Sequence, residues 1–462
     1  MKRASSIALF AAIAVLGSFA QTRKDSMAAA RQEVVDPPVA AAGAPALSAH
    51  ASPYNFPGVQ YPRIEADNRV TFHFNAPNAQ KVQVSIVNVP FDMVKGSDGV
   101  WTYTSEPQPP GYHNYWMVVD GAIVLDPGTQ AFIGYGHMCN GFEVPEPGVD
   151  WYDIKDVPHG HVTVENYFAK SINAWRHIYV YTPPAYDANL KKRYPVFYLQ
   201  HGGGEDERVW IEMGRTNVIL DNLLAQGKVK PMIVVMETSA TGSPDAFGGR
   251  PGIEGAPPAG GAGRGPGAAP GAGAPAAGAT APGRGAGFPG IGGPGGGAYG
   301  RFMTSDLIPW IDQNFRTIPD KDHRAMAGLS MGGMQTSAVT MANLDKFSYI
   351  GFFSGGAAAG GPGRGRGGAP GTPAPPPATP APLDLKTIYN GQMAVPAEFN
   401  KKVKVLFMSC GSMENAAGLR THQQQLAAAG IANSYVYISP GTAHEWQTWR
   451  RSLYAFAPLL FR

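Results

Sequence analysis

The sequence predicts an all-β sandwich followed by a mostly parallel sheet with helices on both faces, and three observations carry that prediction. Between residues 69 and 119, short alternating segments are broken by turn residues about every 8–12 positions, the rhythm of a sandwich. After residue 160, apolar strand-like runs alternate with stretches of helical spacing, the rhythm of a parallel sheet with crossover helices. Within that second part, an apolar run ends at Gly328-Leu329-Ser330-Met331-Gly332 and helix-compatible residues 335–341 follow at once. A serine nucleophile must sit on a strand-to-helix turn too sharp for flanking side chains, and the two glycines leave that room.

At 462 residues the chain exceeds one ordinary domain, so two folded domains plus unstructured segments are expected. Apolar residues make up 44%, enough for sizeable cores. The formal net charge of +3 is small and the basic residues are dispersed, which argues against a nucleic-acid partner. Two cysteines, Cys139 and Cys410, exclude a disulfide scaffold and any CxxC pattern. One bridge between them is open in an oxidising compartment, but two separate buried thiols are expected. His159 and His161 lie close to the linker with no third ligand nearby, so neither a metal nor a cofactor is expected.

Residues 1–20 read as a secretory signal: Lys2 and Arg3, an apolar stretch from Ile7 to Leu16, then Ser18-Phe19-Ala20 before Gln21. The apolar run is too short to span a membrane comfortably, so the expected location is secreted or periplasmic, with no membrane span. Residues 21–57, rich in Ala and Pro without periodicity, are expected to be a disordered leader. The sandwich is placed at 58–150 and reads as immunoglobulin-like, with strands predicted at 69–74, 81–86, 99–103 and 112–119. Its Trp101, Tyr103, Tyr115 and Trp116 are either a sugar-stacking platform or packing residues, and packing is expected for each.

The second domain is placed at 151–462. Strands are predicted at 177–181, 196–200, 232–236, 324–328, 349–353, 403–407 and 434–438, and helices at 216–225, 304–315, 335–343, 416–429 and 446–459. Two stretches, 242–298 and 356–382, are almost entirely Gly, Ala and Pro with scattered Arg, and read as flexible insertions into a complete domain.

A serine hydroxyl needs a base and an oxyanion site converging on it. His201-Gly202-Gly203-Gly204 follows the strand ending at Gln200, so Gly203 and Gly204, with the N–H of Met331, are the expected oxyanion donors. Glu414 lies just past a strand, between serine and histidine, where a triad acid belongs. His444 sits on a loop between the last strand and the last helix. The order Ser330, Glu414, His444 matches the order in hydrolases of this architecture and not that of other serine enzymes. Ser330 is thus expected to attack an ester carbonyl, with His444 shuttling its proton and Glu414 orienting the ring.

Several stretches carry a resemblance: residues 179–184, His201 to Asp206, His323 to Gly333, Cys410 to Glu414, and His444 to Arg450. Through them the region 160–462 resembles the esterase family of α/β hydrolases that holds bacterial feruloyl esterases, the esterase modules of xylanases, and enterochelin and S-formylglutathione esterases. Residues 60–150 look like the glycogen-binding-type sandwich that precedes this domain in members acting on plant cell walls. The resemblance implies a serine carboxylesterase whose partner is an ester substrate, a feruloyl or acetyl ester of hemicellulose or a small aromatic ester. Trp446 and His201 are the expected substrate-binding residues. A siderophore or general small-ester hydrolase is the alternative within enzymes, and a carbohydrate-binding protein on an inactive hydrolase fold is the alternative outside them. Glu414 departs from the family's usual Asp, and neither insertion has a counterpart there.

Overall fold

The computed structural model describes residues 34–41, 43, 47–238, 297–356 and 383–462. The expected signal segment therefore lies outside the described residues, as do both insertions apart from residues 297, 298 and 356.

An eight-stranded sheet organises the second half of the chain. In chain order its strands are β1 (His161–Ala169), β2 (Ala174–Thr182), β3 (Val196–Gln200), β4 (Ile233–Glu237), β5 (Arg324–Leu329), β6 (Tyr349–Phe353), β7 (Val405–Gly411) and β8 (Ser434–Ser439). Their spatial order is β1-β2-β4-β3-β5-β6-β7-β8. β1 pairs antiparallel with β2 and β2 antiparallel with β4, while every pair from β4 to β8 is parallel. Strands β3 to β7 are buried at every residue, which is why they read as unbroken apolar runs: helices cover both faces. One face packs against α1 (Thr216–Ala225) and α4 (Trp446–Phe456), the other against Gly297–Phe302, Ile308–Asn314, α2 (Met331–Ala342) and α3 (Ala416–Ala428). This is the α/β hydrolase type of sheet, with ligands expected off the carboxyl ends of the parallel strands.

Ahead of it lies a β-rich region of two sheets, one of five strands and one of six. Ile64, Val70 and Phe72 from the first meet Val84, Tyr115, Met117 and Phe142 from the second in one apolar cluster. Of the four aromatics read as platform or packing, Trp101, Tyr115 and Trp116 are buried, so the packing reading stands for these three. The Trp101 indole donates to the Ala76 carbonyl and the Tyr115 hydroxyl to Asp126.

The leader boundary at residue 57 needs correction. Val34, Val35 and Ala40 pack on the main core, the Ala40 N–H donates to Glu146, and the Trp151 indole donates to the Pro38 carbonyl. Tyr54 is buried, and His50–Ala51 already pairs with Arg63–Ile64. Apolar residues spaced irregularly between prolines find tertiary partners that local periodicity cannot reveal.

The β-rich region and the large sheet share one core. Tyr54, Tyr112 and Phe132 of the former form edge-to-face contacts within the same cluster as Trp210, Met213 and the α4 residues Leu453 and Tyr454. Buried ion pairs add to this contact: Arg450 with Glu143, and Arg451 with Glu146. Cys139 and Cys410 are both free and buried.

Candidate active site

Ser330 sits at the end of β5 with φ 51° and ψ −115°, a conformation L-residues rarely adopt, and α2 begins at the next residue. The flanking glycines are required by close approach. A Cβ on Gly328 would lie 2.5 Å from the Gly332 backbone, and one on Gly332 would lie 2.3 Å from the His201 carbonyl oxygen. The turn is therefore pressed against the loop after β3, which brings the Gly-rich segment beside the serine.

Three side chains from separate loops converge here. His444 Nε2 lies 2.9 Å from Ser330 Oγ, and His444 Nδ1 lies 2.8 Å from Glu414 Oε1. With Nδ1–H donating to the carboxylate, Nε2 is left to accept from the serine hydroxyl. Burial pushes the Glu414 carboxyl up, but hydrogen bonds from His444, the Gly411 N–H (2.7 Å) and the Ser354 hydroxyl (2.8 Å) outweigh it and hold the group below its ordinary value. Ser354, at φ 51° just past β6, also accepts from the Trp449 indole at 3.1 Å, and Trp449 meets the His444 ring edge-on at 5.2 Å. Sequence reasoning missed Ser354. Its signal was a serine followed by two glycines at the carboxyl end of a buried strand, on the edge where ligands bind.

A cavity opens over Ser330, lined by Gly202, Gly203, Glu205, Leu329, His444, Trp446 and Trp449. Its far wall comes from the β-rich region: Val87, Tyr112, His113, Asn114 and Tyr135. No local pattern in residues 58–150 announced this, because it depends on how the two halves dock. The His113 ring is buried, which lowers its pKa, and its Nε2 lies 2.7 Å from the Pro109 carbonyl oxygen. His444 is thus the pocket histidine that reaches Ser330.

The other expected site residues divide. Gly203 and Trp446 line the cavity, and Met331 opens α2, where the first N–H groups have no partner inside the helix. Gly204 is not among the cavity-lining residues; its carbonyl accepts from the Gly136 N–H at 2.9 Å, and its α-carbon faces Tyr135 and Gly136 of the β-rich region. His201 is corrected from substrate-binding to structural. It is 2% exposed, its Nδ1 lies 2.7 Å from the Gly202 carbonyl oxygen, and burial lowers its pKa to about 4. A histidine beside a glycine loop looks available in sequence, but the turn folds its ring inward. Among the described residues, no group of three His, Cys, Asp or Glu side chains is placed to hold a metal ion, and no helix is long and apolar enough to cross a membrane.

The chain is similar to known esterases and xylanases. An endo-1,4-β-xylanase/feruloyl esterase of Xylanibacter ruminicola is 33% identical over 427 residues, 89% of this chain, and the chain spans about half (47%) of that relative's length. An endo-1,4-β-xylanase Y of Acetivibrio thermocellus is 39% identical over 80 residues, 17% of this chain and 7% of its own. The enterobactin esterase FES from Shigella flexneri, solved in the presence of enterobactin, shares the fold at a TM-score of 0.52 and 12% identity, covering 85% of this chain and 92% of its own. Residues 276–460, with Ser330, Glu414 and His444 among them, match the model of the family described as "Putative esterase".

Proposed function

We propose that the chain is an exported serine carboxylesterase that cleaves esters of aromatic acids on plant cell-wall polysaccharide, feruloyl esters above all, through an acyl-enzyme. The observation that carries this is the hydrogen-bonded line Ser330–His444–Glu414 beneath a cavity with aromatic walls. Tyr112, Tyr135, Trp446 and Trp449 offer flat apolar surface that suits an aryl acyl group better than acetyl. The xylanase and feruloyl-esterase activities named for the Xylanibacter relative point to the same polymer.

In the proposed mechanism the Ser330 hydroxyl attacks the ester carbonyl while His444 Nε2 takes its proton. The N–H groups of Gly203 and Met331 receive the charge that develops on the carbonyl oxygen. His444 then returns the proton to the leaving alcohol, and a water deprotonated by the same ring releases the acid. Glu414 fixes the tautomer and stabilises the imidazolium. The test is a panel of methyl ferulate, feruloylated and acetylated xylan, a catechol siderophore and long-chain nitrophenyl esters. The highest kcat/KM is expected on the feruloyl esters; a preference for the siderophore or for acetyl xylan overturns the substrate assignment.

A pH effect follows from Glu205, whose carboxyl lines the cavity and accepts from the Gly202 N–H at 2.8 Å. Burial pushes it up to about 8, and the charge of Asp206 pushes the same way. Tyr135 and Cys139 stand near it, themselves raised by burial, so none of these neighbours supplies a positive charge. Glu205 is therefore neutral at pH 7 and ionises as the pH passes 8, placing negative charge where the oxyanion must form. kcat/KM should fall above about pH 8, and Glu205→Gln, which keeps an acceptor but cannot ionise, should retain its rate to higher pH. Stability has the same sign: the folded-state value lies above the ordinary 4.5, so the group's contribution is full below 4.5 and lost as pH rises through 8. An alkaline limb unchanged in Glu205→Gln contradicts the assignment.

A further inference from the structure

We propose that the turn Tyr135–Gly136 of the β-rich region positions the oxyanion site, holding the Gly203 N–H on target through the backbone of Gly204. The proposal rests on Ser330 being the nucleophile and Gly203 an oxyanion donor. Gly203 is flanked by two fixed residues. On one side the Gly202 N–H is taken by Glu205 Oε2 at 2.8 Å; on the other the Gly204 carbonyl accepts from the Gly136 N–H at 2.9 Å. With both neighbours bonded, the peptide between them has little freedom to rotate, and Gly203 lines the cavity together with Ser330.

The contact with the turn is as close as two backbones can come. A Cβ on Gly204 would lie 2.5 Å from Gly136 N and 2.9 Å from the Tyr135 carbonyl carbon, and Gly204 itself has φ +75°. The turn is also a stiff support. Gly134 pairs with His137, so Tyr135 and Gly136 form a two-residue hairpin loop, and their φ values of 55° and 83° are both positive, as a type I′ turn requires. Such a turn matches the twist of its strands, so the loop is braced by the strands Ala131–Gly134 and His137–Val144. The second of these strands ends at Glu143 and Val144, and Glu143 is ion-paired to Arg450 on the helix that follows His444. One strand of the β-rich region thus reaches the oxyanion loop with one end and the helix behind the catalytic histidine with the other.

An oxyanion donor works only when placed within hydrogen-bond reach of the charge as it forms, and a misplacement of roughly 1 Å can cost about a hundredfold in rate. A support that acts on donor placement should therefore change kcat and leave ground-state binding alone. Two replacements break the contact from opposite sides: Gly204→Ala, through the clash above, and glycolic acid in place of Gly136, whose ester oxygen removes the donor N–H and keeps the positive φ the turn needs. Each is expected to lower kcat on methyl ferulate about 10- to 100-fold while KM and the inhibition constant of ferulate stay within about threefold. Affinity for an arylboronic acid, whose serine adduct presents an oxygen to the oxyanion donors, should fall in step with kcat. The double variant should be no worse than the weaker single one, since both remove one contact.

Unchanged kcat in either folded variant, a kcat loss without a matching loss of boronate affinity, or multiplying effects overturns the proposal. Amide hydrogen exchange at Gly136 in the unaltered protein decides it independently of whether the variants fold: a protected amide is expected, and an unprotected one defeats it. Failure of the parent assignment looks different, because boronate would then form no adduct with Ser330 in the unaltered enzyme.

Discussion

Ser330→Ala should lower kcat on methyl ferulate by about 10⁵- to 10⁶-fold while ferulate still binds. Under the proposed mechanism the three side chains work as a unit, so loss of the nucleophile leaves only the rate supplied by the oxyanion donors and by binding, roughly 10³–10⁴ over water. His444→Ala should cost about as much, because its Nε2, 2.9 Å from Ser330 Oγ, is the base placed to take the hydroxyl proton. Glu414→Ala should cost less, about 10⁴-fold, since the ring keeps its place partly through Trp449 and the Ala443–Glu445 loop, where the Ala443 N–H donates to Glu445 at 3.0 Å. Single-turnover kinetics with mass detection of the acyl-enzyme checks all three. Ser330→Ala within tenfold of the parent would remove the serine from the mechanism, and a silent Glu414→Ala would remove the acid.

The parallel strands could be read from sequence because each is covered on both faces and so carries an unbroken apolar run, as Val196–Gln200 and Tyr349–Phe353 do. Their ends were less legible: β7 begins at Val405 and not Val403, whose backbone is extended but whose N–H still donates to the Phe399 carbonyl of the preceding helix Pro396–Lys402. The strand His137–Val144 went unread for a different reason. Its Asn140 and Glu143 are buried, which no apolar pattern announces, and each is satisfied by distant groups: Asn140 by Asp126 and Thr129, Glu143 by Arg450 and Tyr54. β1 was missed as the exposed edge of the sheet, where Val164 and Phe168 stay in solvent and the buried alternation is broken. At the site, Ser330, Glu414 and His444 were legible because motif and chain order constrain them. His201 was misplaced because orientation beside a glycine-rich turn depends on what packs against it. No local pattern singled out Tyr112, Asn114 and Tyr135 as the residues of a wall, since that wall exists only once the two halves dock.

That docking should be strongly sensitive to one buried ion pair. Arg450 is fully buried on α4, and Glu143 is 5% exposed on the strand facing it. The guanidinium bonds both carboxylate oxygens, at 2.5 and 3.1 Å, and its Nε donates to the Met213 carbonyl at 2.8 Å. Burial pushes the Glu143 carboxyl up, but the charges of Arg450 and Arg215 outweigh it and keep the group below its ordinary value. Removing one partner leaves the other charge buried and uncompensated, which costs about 3–5 kcal/mol. Arg450→Met should therefore destabilise the protein by that amount in urea denaturation at pH 7. Glu143→Gln should cost at least as much, because Arg450 has no exposure through which to turn its charge to solvent, whereas Arg450→Met leaves Arg215, 3.7 Å from the same carboxylate, as a counter-charge. The double variant Glu143→Leu/Arg450→Met should recover much of the loss, since the desolvation penalty of both charges goes with them. If the pair mainly contributed attraction, the double variant would be as unstable as Arg450→Met. If it fixes how the β-rich region meets the helix behind His444, the double variant should regain stability yet keep a lowered kcat. Measuring both quantities in the three variants separates cohesion from placement.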